Sequence, residues 1–139
     1  MELGGHSHTH PHLDSLSPAQ AREEITRCKT LLEERLTAPV RSFAYPNGYS
    51  SRTVRRLVRE AGYRSACSVK DQLSSTDDDV FSLARLMVRA DTSLIELRSW
   101  LAGVGRPIAP TRERLRTRAW RLNRRMRALA TGRPTSDIQ

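Results

Sequence analysis

Positive charge is gathered at one end of this chain. Ten arginines and one acid, Glu113, fall in residues 106–133, whereas residues 1–105 hold 14 Lys/Arg against 13 Asp/Glu. A segment so dense in like charge repels itself and cannot supply a core. The folding unit is therefore residues 1–105, and residues 106–139 form an Arg-rich helical tail. At 139 residues the whole is one domain with an appendage. The excess charge belongs to the tail, so the overall basicity does not indicate a specific nucleic-acid-binding domain. No run of about 18 apolar residues is present that would make a transmembrane helix. Residues 1–15 are polar and His-rich, unlike a signal peptide, and nothing in the sequence fixes a location.

Within residues 1–105 the pattern alternates. Ser17 caps a helix that begins at Pro18, and Ala21, Ile25, Cys28, Leu32 and Leu36 draw an apolar stripe down it. Thr37-Ala38-Pro39 ends it. Val40–Tyr45 reads as a strand and Pro46-Asn47-Gly48 as a sharp turn. A helix over residues 51–61 faces inward with Val54, Leu57, Val58 and Ala61, and Gly62 stops it. Strands follow over Tyr63–Val69 and Phe81–Val88, with a polar loop between them whose Asp77-Asp78-Asp79 reads as a solvated tip. Thr92-Ser93 caps a third helix, Leu94–Leu101. Met1–Gly5 looks like the end of one more strand. Strands and helices in this order predict an α/β fold with parallel strands. Gly105–Pro110 reads as a linker. Leu115, Ala119, Leu122, Met126 and Leu129 then repeat at helical spacing, predicting an amphipathic helix over residues 111–130 and a disordered end. Cys28 and Cys67 fit no zinc spacing and read as buried free thiols.

All four histidines lie in His6-Ser7-His8-Thr9-His10-Pro11-His12. Imidazoles at i and i+4 converge on one ion from a helical turn, and at i and i+2 from one face of a strand. Pro11 disfavours a helix through His10, so the segment reads as a loop or single turn with Gly4-Gly5 as the bend into it. A solvated His-rich tract is the alternative. The histidine loop, the Pro46 turn and the loop after Val69 each follow a strand, where parallel α/β folds build their sites. Histidines in one such loop and a backbone-donor turn in the next suit metal-assisted hydrolysis.

The run His6-Ser7-His8-Thr9-His10-Pro11-His12-Leu13 resembles the His-Ser/Thr-x-x-His-Pro metal motif of polysaccharide deacetylases, the NodB-type carbohydrate esterases of family four. Phe43-Ala44-Tyr45-Pro46-Asn47-Gly48, followed by a helix ending in Ala61-Gly62-Tyr63, resembles the family's next motif, and Phe81–Leu86 resembles its final strand. The resemblance covers about residues 1–103. It implies a partial distorted (β/α) barrel, a divalent metal, usually zinc, and removal of acetyl groups, chiefly N-acetyl, from a carbohydrate polymer. It assigns His6 and His10 to the metal and the Asn47 backbone N–H to the oxyanion, and it leaves His8 and His12 as surface or supporting groups, with His8 open as an alternative ligand. The family's Asp-Asp motif and late Leu-x-His motif have no counterpart here, and Ala44 stands at its arginine position. The general base and acid are thus expected to be missing, and the chain to be the C-terminal part of such an enzyme, weak or inactive alone. Two other readings stand beside this one: a non-catalytic degenerate relative, and a basic-tail module in which residues 106–133 bind an anionic polymer or membrane.

Overall fold

The computed structural model describes residues 2–110, 119–120, 122–124, 126–127 and 130. Its elements alternate as the pattern requires. A single 3₁₀ turn, Leu13–Ser15, leads into α1 (Pro18–Leu36). Then come β1 (Ser42–Ala44), a 3₁₀ turn (Pro46–Gly48), α2 (Arg52–Glu60), β2 (Ser65–Asp71), β3 (Leu83–Arg85) and α3 (Leu94–Leu101). The three strands are parallel in the order β1-β2-β3, with Phe43 opposite Ala66 and Cys67 opposite Leu83. Gly5 adds a parallel bridge to Phe43 on the other side of β1, so the residues before the histidines do lie in strand pairing.

The helix limits follow from chemistry visible in the sequence. Ser17 accepts from the Gln20 N–H while Gln20 returns a bond to the Ser17 N–H, a reciprocal cap of about 1 kcal/mol. Ser93 and Glu96 repeat the device on α3. Ala21, Ile25 and Cys28 are the buried part of the α1 stripe. Ile25, Leu57 and Val58 close on Phe43, Tyr45 and Ala66 in one core, which Leu13 and Val40 complete. Each such side chain contributes about 1.5–3 kcal/mol by leaving water.

The strands differ from their expected lengths for local reasons. Val40 leaves β1 because its N–H is taken by the Glu33 carboxylate. β2 runs two residues further, through Asp71, because its partner β3 continues beside it to Arg85. β3 then stops, since the Met87 N–H is claimed by the Asp71 side chain. In the loop between them, Asp78 and Asp79 serve the turn itself, accepting from the N–H groups of Ser75 and Phe81. Asp79 also pairs with Arg55 and Arg59. Residues 107–109, read as linker, bridge to Leu73. Both cysteines are free, but only Cys28 is buried; Cys67 is partly exposed.

The described part of the tail is helical at residues 119–120, 122–124, 126–127 and 130. Among these residues Leu122 and Met126 are exposed and Arg124 is buried. Leu115, Leu129 and the end expected to be disordered lie outside the described residues. No described helix is long and apolar enough to cross a membrane.

Candidate metal centre

The histidine loop is held from two sides. On the sheet side, Gly5 donates to the Ser42 carbonyl and accepts from the Ala44 N–H, at 2.9 and 2.8 Å. His6 therefore leaves the end of a paired segment, and its Nδ1 lies 2.7 Å from the Ala44 carbonyl oxygen. A carbonyl only accepts, so Nδ1 carries the proton and Nε2 keeps the lone pair that a metal requires. On the helix side, one carboxylate from α1 does the work. Glu24 accepts the N–H groups of His8 and Thr9 at 2.9 and 2.8 Å and the Thr9 hydroxyl at 2.7 Å. The loop then turns sharply: Ser7 and His10 both take left-handed backbone (φ 63° and 61°), and Ser7 Oγ accepts from the His10 N–H.

The outcome is that His6 and His10 face each other. Their ring centroids are 4.9 Å apart with planes at 63°, and both side chains are exposed. Two rings so close, one of them hydrogen-bonded through Nδ1, are the pair here that could hold a divalent ion. They make two donors; among the described residues no group of three His, Cys, Asp or Glu could hold a metal. His8 is exposed, whereas His12, grouped with it on sequence, is 1% exposed and turned into the protein.

The second loop meets the first. Asn47 sits at φ 53° in the Pro46–Gly48 turn, which closes through bonds from Gly48 N–H to Tyr45 and from Tyr49 N–H to Pro46. Those bonds leave the Asn47 N–H outside the turn's own ladder. The carboxamide Nδ2 of Asn47 is 3.4 Å from His12 Nδ1. Below the turn, Tyr45 is fully buried and donates to the Phe81 carbonyl at 2.8 Å, and burial holds its phenol well above the usual range. Gly48 packs so closely on Val69 that a Cβ there would meet the Val69 backbone nitrogen. The turn is thereby pinned to both neighbouring strands.

Residues 1–66, which hold both loops, match the family described as polysaccharide deacetylase. That match covers 66 of the 139 residues, and a likeness of fold extends further along the chain. The structure resembles deacetylase PplD of Streptococcus pyogenes, solved in complex with acetate, with TM-score 0.65 and 23% identity over 68% of this chain and 42% of that one. It also resembles a polysaccharide deacetylase of Bacillus cereus, with TM-score 0.57 and 20% identity over 69% and 30% of the two chains. A third is the polysaccharide deacetylase-like protein of Bacillus anthracis, with TM-score 0.57 and 20% identity over 68% and 30%. The chain thus spans less than half the length of these relatives. No curated protein matches the sequence. The three parallel strands and their helices form an α/β arrangement that shares its fold with part of these structures.

Two residues that hold these loops carry no signal in the sequence. Glu24 read as one more polar residue on α1, because a contact across 15 residues leaves no periodic signal. Arg124 was one of ten arginines in a tail with nothing to single it out. Asp14 is 1% exposed and ion-paired with Arg124 at 2.9 Å, and the Glu2 carboxylate receives the Ser42 hydroxyl. Neither acid is placed as a general base.

Proposed function

We propose that this chain carries the metal-holding and oxyanion-donating loops of a metal-dependent deacetylase acting on an acetylated carbohydrate polymer, N-acetyl groups foremost. The observation that carries the proposal is the pairing of His6 Nδ1 with the Ala44 carbonyl beside the His10 ring, which in the neutral imidazole leaves Nε2 to serve a metal. His6 and His10 would hold a divalent ion, zinc being the one the family resemblance implies and one that imidazole donors suit. When bound, such an ion supplies Lewis acidity and a nucleophile at neutral pH. The protein's own part is positional. Glu24 fixes the loop that carries both rings, and the Asn47 N–H donates to the oxygen on which charge develops as the acetyl carbon turns tetrahedral. A base for the attacking water and an acid for the departing amine have no candidate among the described residues near these loops. This chain is therefore expected to turn over slowly alone, since each such group contributes about 10²–10⁴-fold.

The test is cobalt or zinc titration of the chain and of His6→Ala, His8→Ala, His10→Ala and His12→Ala, with acetate release from N-acetylglucosamine oligomers measured alongside. Loss of His6 or His10 is expected to weaken binding most. A larger loss from His8→Ala would reassign the ligand pair. A second reading concerns residues 106–133. Leu122 and Met126 stand exposed among arginines, a composition suited to an anionic bilayer or polyanion. Retention on anionic vesicles or heparin that survives neutralising these arginines would dismiss it.

A further inference from the structure

Arginine keeps its charge at any ordinary pH, so it is buried only where partners meet it. Arg124 is 8% exposed. Its Nη2 donates to Asp14 Oδ2 at 2.9 Å and its Nη1 lies 3.1 Å from His12 Nδ1. A guanidinium only donates, so His12 Nδ1 accepts. The plane of Arg124 lies over the Tyr49 ring at 4.0 Å and near the Trp120 ring at 4.8 Å. The described part of the helix that carries it is thus docked through Arg124, while Leu122 and Met126 face water.

Two of the groups that Arg124 touches, His12 and Tyr49, lead to the same place. His12 Nδ1 is the atom that the Asn47 carboxamide approaches at 3.4 Å. Tyr49 follows Asn47 by two residues, closes the Pro46 turn through its own N–H, and packs its ring against His12 at 5.8 Å. Arg124 therefore grips the turn through His12 on one path and through Tyr49 on the other. We propose that Arg124 is a positioning residue of the site, which fixes the Pro46–Gly48 turn and with it the Asn47 N–H. The proposal rests on the reading of that N–H as the oxyanion donor. It makes the C-terminal helix part of the site's framework.

The planar fork is what lets one side chain serve Asp14, His12 and the Tyr49 face together. Arg124→Lys keeps the charge beside Asp14 but not the fork. The double variant Asp14→Asn/Arg124→Gln removes both charges of this ion pair together, and it serves where a single change unfolds the chain. The experiment compares backbone amide resonances of ¹⁵N-labelled wild type and both variants. The expected result is displacement of the Asn47, Gly48 and His12 signals beyond the linewidth, with Gly5 and Phe43 unmoved. Cobalt affinity should stay within about a factor of two, because other contacts hold His6 and His10. Where acetate release is measurable, kcat should fall between about tenfold and 10²-fold with KM unchanged, as for a group misplaced by about 1 Å. Unmoved Asn47 and Gly48 signals in Arg124→Lys, with Trp120 emission altered to show the Arg124 contacts released, would overturn the proposal. If wild type binds no cobalt through His6 and His10, the deacetylase reading is what fails, and the amide resonances still decide the role of Arg124.

Discussion

Gly5→Ala offers a sharp test of how the histidine loop leaves the sheet. A Cβ at Gly5 would lie 2.3 Å from the Tyr63 hydroxyl oxygen and 2.9 Å from Cζ. The first contact is roughly 1 Å short of ordinary packing distance. Neither side yields easily. Gly5 is bonded at both its N–H and its carbonyl to β1, and the Tyr63 ring packs on Phe43 at 5.0 Å with the Lys29 ammonium 4.6 Å above it. Overpacking of this kind costs about 1–3 kcal/mol, and the pinned backbone places Gly5→Ala near the middle, about 2 kcal/mol. The worst overlap involves a single atom, so Tyr63→Phe should relieve it. That hydroxyl is buried without a hydrogen bond among the described residues, and its removal alone should cost less than about 1 kcal/mol. The double variant should then recover about 1 kcal/mol of the Gly5→Ala loss, an interaction energy within the range seen for contacting residues. Urea unfolding of the four chains at constant slope gives the cycle. Strict additivity within about 0.5 kcal/mol would show that Gly5 is not seated on Tyr63.

Glu24→Ala should loosen the loop without touching an imidazole. The expected loss is about 10–100-fold in cobalt affinity, the usual effect of removing a supporting partner, with little change in urea midpoint; unchanged affinity would refute the clamp. Glu33 predicts an acid dependence. The Lys29 ammonium first, and the Val40 N–H second, hold its carboxyl below the ordinary 4.5. A folded value below the unfolded one adds stability above 4.5 that fades as pH falls through the folded value. Stability measured from about pH 6 down to about pH 3 should therefore fall less steeply for Glu33→Gln than for wild type, and parallel curves would contradict this.

How far the sequence could be read depended on the range of the interaction. Pro18–Leu36 and Leu94–Leu101 are the helices expected from Ser17-Pro18 and Thr92-Ser93, because a cap and a stripe are local chemistry. Strand ends were less legible, since they are fixed by distant claimants: the Glu33 carboxylate takes Val40 and the Asp71 carboxylate takes Met87. The docking contact of the tail was illegible for the same reason: it is a buried ion pair between Arg124 and Asp14, 110 residues apart in sequence. In the site, the closeness of His6 to His10 followed from a motif, while the inward turn of His12 and the grip of Glu24 could only be seen once α1 lay beside the loop.

The Glu24 grip ties the site to the beginning of a helix, which is where helices open most readily. Glu24 sits on the second turn of α1, just inside the reciprocal cap made by Ser17 and Gln20. Any fraying that reaches the second turn would release the amides of His8 and Thr9 along with the helix. The cap therefore sets the opening rate of a loop it never touches. Hydrogen exchange of those two amides would then report the local unfolding of α1, and a silent-looking change at Ser17 would be felt as a site that spends more of its time undone.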